Sequence, residues 1–104
     1  MYSLYDRVLG CLVTAGMGDG IGAPTEAMSR QEILEKYGRI TGFVDGSTNL
    51  VAWGNRTAEI TDDTSQMYEM VKAVIRCGGE LTAQEAGQAL MRWSENYPRY
   101  FPRN

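Results

Sequence analysis

Histidine is missing altogether from this 104-residue chain. That absence excludes, within the chain, a Ser-His or Cys-His nucleophile pair, a His-ligated zinc and a histidine acid or base. Any chemistry must use carboxylates, hydroxyls, backbone amides or a hard metal ion. Cysteine is nearly as scarce, with Cys11 and Cys77 alone. Both lie in helical patterns and are expected as buried, reduced thiols rather than a disulfide, which points to the cytoplasm. There is no Lys/Arg stripe and the net charge is -3. This argues against a nucleic-acid partner, since phosphate neutralisation needs clustered positive charge. No apolar run approaches membrane-spanning length, and the greasiest piece, Val8 to Val13, is interrupted by Gly10. The opening "MYSLYDRVLG" has an early acid and no small-residue cleavage site, so no signal peptide is expected. No internal repeat or low-complexity tract occurs.

What is present suits one globular domain with a modest core: 104 residues, 43% of them hydrophobic. Tyr5, Val8, Leu9, Leu12 and Val13 recur at helical spacing and predict a helix over Tyr2 to Met17. Gly10 and Gly16 each cost roughly 1 kcal/mol inside it relative to Ala, which makes sense if another helix packs closely. The run "GMGDGIGAPTEAMS" follows, read as a tight glycine-rich turn. Ser29 to Tyr37 reads as a short helix with a capping box at Ser29 and Glu32 and a stop at Gly38. Arg39 to Ala58 is turn-rich, a loop or a loose hairpin. A third helix is predicted from Asp62 to Arg76, with Met67, Met70, Val71, Val74 and Ile75 as its apolar stripe. Gly78 and Gly79 end it. A second capping box, Thr82 with Glu85, opens a last helix from about Ala83 to Asn96, with Ala86, Leu90, Trp93 and Tyr97 inward and Pro98 closing it. The tail "YPRYFPRN" carries no helical pattern.

Two stretches could carry chemistry. In Thr61-Asp62-Asp63-Thr64, adjacent carboxylates flanked by hydroxyls stand at the mouth of a helix. The bland reading is a helix cap, with acids suiting the positive end of the dipole. Yet a cap needs one such side chain, and neighbouring aspartates repel unless something positive sits beside them. Two carboxylates and a threonine oxygen make a partial shell for Mg²⁺ or Mn²⁺, which prefer oxygen ligands. The second stretch, Gly18-Asp19-Gly20-Ile21-Gly22-Ala23, formally matches G-x-G-x-x-A. A dinucleotide site would need a preceding strand, and the preceding residues repeat at helical spacing, so that reading is rejected. The remaining readings are helix breakage with close backbone approach, or a turn that presents Asp19 and Glu26 to a cleft. A loop carboxylate such as Glu26 is usually just solvated, but a carboxylate near a metal-bound water is also a natural general base.

Together the two stretches resemble the N-terminal part of the ADP-ribosylglycohydrolase family. The family's GD-x-x-G-x-x-x-E is matched by Gly18-Asp19-Gly20-Ile21-Gly22-Ala23-Pro24-Thr25-Glu26. Its T-D-D-T-x-M is matched by Thr61 to Met67, with one extra residue before the methionine. "MSRQEILEKYGRITGF" between them also looks like the bacterial members, so the resemblance covers nearly all 104 residues. It implies an all-α fold with two Mg²⁺ ions in a cleft, Mn²⁺ being a possible substitute. The implied activity is cleavage of the glycosidic bond joining ADP-ribose to a protein side chain or a small molecule. By position, Thr61, Asp62 and Asp63 would be metal ligands. Glu26 would act in acid/base work or in gating the substrate, and Asp19 would support the turn or stand behind the ligands.

The chain departs from the family pattern in one respect. The second ligand motif, of Asp-x-Asp-Ser/Thr type, has no counterpart after Met67. Residues 1–104 are therefore expected to be the N-terminal portion of a single helical domain, with weak or absent hydrolase activity alone. Bare apolar helix faces are expected to invite a homo-oligomer or the missing C-terminal half. The alternative is a non-catalytic remnant serving as a binding or structural module.

Overall fold

A computed structural model describes residues 1–100; the last four letters of the expected tail lie outside the described residues. Among the described residues four α-helices follow in chain order: α1 (Leu4–Gly22), α2 (Arg30–Tyr37), α3 (Asp62–Arg76) and α4 (Ala83–Asn96). Short 3-10 turns occupy Ala23–Thr25 and Leu50–Ala52. No strand occurs among the described residues, so the all-α expectation holds and the loop after α2 is not a hairpin. The helices form two compact units, Met1–Thr61 and a second beginning at Asp62.

In the first unit, Ser3 caps α1 by accepting from Asp6 N, while the Asp6 carboxylate accepts from Ser3 N at 2.9 Å. α1 is longer than the expected helix. It runs through the glycine-rich run to Gly22, so Gly18, Asp19 and Gly20 are helical rather than part of a turn. Glycine lowers helix propensity without forbidding the conformation. Gly20 is buried, and a Cβ there would lie 3.4 Å from the Ala58 carbonyl and from a Phe43 ring carbon. The helix gives way only at Ala23 and Pro24, where the chain tightens into a 3-10 turn. α2 matches the expected helix, with both bonds of the Ser29–Glu32 capping box in place and Gly38 at φ 67° as its stop. Tyr37 donates its hydroxyl to the Asp45 carbonyl at 2.8 Å, which ties α2 to the following loop.

The expected apolar face of α1 is largely bare. Tyr5 is 72% exposed, and Val8, Leu9 and Val13 are about half exposed. A Cβ at Gly10 would meet open space, so no helix packs there. Both cysteines are free thiols, but Cys11 is exposed and Cys77 only half-buried, which corrects the expectation of burial. Periodicity shows which face is apolar. It does not show whether this chain carries something to cover it.

The second unit is α3 packed on α4. Both helices have the expected bounds, and Gly78 and Gly79 end α3 at positive φ. Their buried faces differ from expectation. On α3 the buried line is Ser65, Glu69 and Ala73, while Val74 and Ile75 of the apolar stripe are exposed. With about 100° of rotation per residue, these two lines lie on nearly opposite sides of the helix. On α4, Ala89 and Trp93 are buried and Leu90 is exposed. Ser65 meets the Trp93 indole, whose Nε1 donates to Ser65 Oγ at 2.8 Å. Glu69, 1% exposed, accepts from Lys72 Nζ at 2.6 Å and from Asn96 Nδ2 at 3.1 Å. Hydrogen bonding, not apolar pattern, selects the face that closes. Thr82 caps α4 by accepting from Glu85 N. Burial together with the nearby Glu85 carboxylate pushes the Cys77 thiol above its ordinary pKa.

Candidate functional site

In the first unit, the glycine-rich stretch and Thr61 are held by side-chain hydrogen bonds. Asp19 stands on the last turn of α1, and its carboxylate takes two hydrogen bonds from one residue. Thr61 N donates to Oδ2 at 2.8 Å, and Thr61 Oγ1 donates to Oδ1 at 2.7 Å. Thr61 itself is 3% exposed. Gly20, next to Asp19, lies against the backbone at Ala58, three residues before Thr61.

Two asparagines brace the rest. Asn49 Nδ2 donates to the carbonyls of Pro24 (3.2 Å) and Glu26 (2.9 Å), and its Oδ1 accepts from Val51 N. Asn55, 1% exposed, donates to the Ile60 carbonyl at 2.9 Å, just before Thr61. Gly46 lies between these braces, where a Cβ would stand 3.0 Å from the Asn55 carbonyl oxygen and 3.2 Å from Pro24. Sequence reasoning missed both asparagines. Both fall in the turn-rich stretch Arg39 to Ala58, and nothing local announces a bond to a carbonyl 25 residues away.

Glu26 follows the 3-10 turn in extended backbone, with its carboxylate exposed. Asp62 and Asp63 form the first turn of α3 in the second unit, Asp62 half-buried and Asp63 exposed. Among the described residues no group of three or more His, Cys, Asp or Glu is gathered as a metal cage. The donor set in question is one hydroxyl and two carboxylates on consecutive residues. Its chemistry suits a hard cation: all three donors are oxygens, and the Thr61 hydroxyl hydrogen is directed to Asp19.

An all-helical chain with this ordered pair of motifs defines a class, and comparison with known proteins gives its family. The model of the ADP-ribosylglycohydrolase family matches residues 1–103, and the chain belongs to that family. It is 29% identical over 97 residues to the uncharacterized protein YegU of Escherichia coli K12, a match covering 91% of this chain and 29% of that protein. It is 28% identical over 96 residues to the ADP-ribosyl-[dinitrogen reductase] glycohydrolase of Rhodospirillum rubrum, covering 92% of this chain and 31% of that one. An uncharacterized Archaeoglobus fulgidus protein is 27% identical over 73 residues. The chain thus spans under a third of the length of these curated relatives. No solved structure matches it.

Proposed function

We propose that the chain supplies the first half of the metal and substrate site of a Mg²⁺-dependent hydrolase acting on ADP-ribosylated proteins or ADP-ribose-containing small molecules. The observation that carries the proposal is the order of the two motifs, with Asp19 of the first bonded to Thr61 of the second. Thr61, Asp62 and Asp63 would hold Mg²⁺, or Mn²⁺ in its place. Once bound, the cation would supply Lewis-acid chemistry, orienting ribose and pyrophosphate oxygens and polarising water. Departure of the leaving group at the anomeric carbon builds oxocarbenium character and calls for a carboxylate to manage the proton of the attacking water. Glu26 is the carboxylate assigned to that work or to gating substrate entry. Asn49 holds its backbone while its side chain stays in solvent reach.

The chain alone is expected to hydrolyse weakly or not at all. It spans under a third of its relatives, and apolar faces stand bare on α1 and at Val74 and Ile75 of α3. A homo-oligomer or the remaining family polypeptide would cover them. The free thiols suit a reducing compartment, and the cytoplasm is the proposed location. Among the described residues no helix is long and apolar enough to cross a membrane. Titration calorimetry with Mg²⁺ and Mn²⁺ tests the reading: Asp62→Asn should weaken binding, and equal heats from both proteins would defeat it. A binding or structural module remains the second reading. It is favoured by the bare faces and would be supported if a folded mixture with the rest of a family member released no ADP-ribose.

A further inference from the structure

We infer that Asp19 is a positioning residue for the Thr61 hydroxyl, taking up its one hydrogen so that a bound cation would meet lone pairs; the inference rests on the metal reading above. A threonine hydroxyl has one hydrogen and two lone pairs. Here the hydrogen goes to Asp19 Oδ1 at 2.7 Å, and the neighbouring Thr61 N–H goes to Oδ2 at 2.8 Å. The two bonds share one carboxylate, so backbone and side chain of Thr61 are locked together. Both are charge-assisted, and Thr61 is 3% exposed, so water competes poorly for either. With its single hydrogen committed, Oγ1 meets any further partner through lone pairs, which is what a hard cation requires. An inverted hydroxyl would instead point its hydrogen at the ion.

The placement of Asp19 explains features that capping alone leaves idle. A cap on α3 needs no carboxylate from a helix 42 residues earlier in the chain. The continuation of α1 through Gly18 and Gly20 puts Asp19 on helix rather than on a turn, with the Ala58 backbone in contact at Gly20. Residues that orient a ligand in this way influence metal affinity by roughly 10–100-fold.

The experiment is a double-mutant cycle on the full chain, with Mn²⁺ alone as the probe and paramagnetic broadening of amide resonances as the readout. Asp19→Asn keeps the shape, but its amide nitrogen must face one of the two Thr61 donors. It should weaken Mn²⁺ binding by about 10-fold or more. Thr61→Val should weaken it comparably, Thr61→Ser should keep it, and Asp19→Asn should add little on the Thr61→Val background. The Thr61 amide proton should also move upfield in Asp19→Asn. If Asp19→Asn does not fold, Asp19→Glu retains the charge, loses the two-point geometry and should show the same weakening. Mn²⁺ binding unchanged by either variant, or losses that simply add in the double variant, would overturn the inference while leaving the metal reading standing. A wild-type chain that takes no Mn²⁺ at millimolar concentration overturns the metal reading itself, and the inference with it.

Discussion

Two buried glycines of the first unit should answer the same substitution with opposite signs. At Gly46 a Cβ would stand 3.0 Å from the Asn55 carbonyl oxygen and 3.2 Å from both Cα and Cγ of Pro24. None of these can rotate aside: one is backbone, and the others belong to a proline that is itself buried. Gly46→Ala therefore forces the loop away from Pro24, an overpacking cost of about 1–3 kcal/mol. At Gly20 the nearest atoms would stand at 3.4 Å, the edge of ordinary contact, and the residue is inside α1. Replacing a helical glycine by alanine stabilises by roughly 0.5–1 kcal/mol when nothing must move. At ~4–8 °C per kcal/mol for a domain of this size, Gly46→Ala should lower the thermal midpoint by several degrees to about 20 °C, and Gly20→Ala should hold or raise it. Far-UV circular dichroism melts of the two variants beside wild type provide the assay. A Gly46→Ala midpoint equal to wild type, or a Gly20→Ala loss as large as that at Gly46, would refute the packing described around Pro24 and Ala58.

Glu69 gives a pH-dependent test. Burial alone would raise its pKa, but the hydrogen bonds from Lys72 and Asn96 and the charges of Lys72 and Arg76 outweigh it, and the carboxyl stays below its ordinary value. A depressed folded pKa adds stability above the unfolded value, and that contribution is lost as pH falls through the folded one. Glu69→Gln should thus melt earlier than wild type at neutral pH, by about 1–2 kcal/mol, because Lys72 is one-third exposed and its bond is partly screened. The gap should close as pH drops below the usual glutamate range; a gap that widened would contradict the pairing. Thiol labelling should find Cys11 fast and Cys77 slow, since Cys77 is half-buried beside Glu85; equal rates would argue against that placement. The bare α1 face should drive self-association, seen as more than monomer mass by light scattering and reversed by Leu9→Glu. A clean monomer would leave that face to some other partner.

Much of this molecule was already written in its letters. The bounds of α2, α3 and α4 follow from Ser29 with Glu32, from Thr82, and from Gly38 and Gly78, because caps and positive-φ stops act within a few residues. The family, too, was legible in two short ordered motifs, since chemistry demands particular side chains at particular spacings. Tertiary structure alone decided the rest. It carried α1 through Gly18 and Gly20 despite their poor helix propensity, up to the turn at Ala23 and Pro24. It buried Ser65 and Glu69 in preference to Val74 and Ile75, with the Trp93 indole bonded to Ser65, and Lys72 and Asn96 bonded to one oxygen of Glu69. It also joined Asp19 to Thr61 and Asn49 to Pro24. Hydrogen bonds between residues far apart in the chain leave no periodic trace, so only the folded backbone could bring those partners within reach.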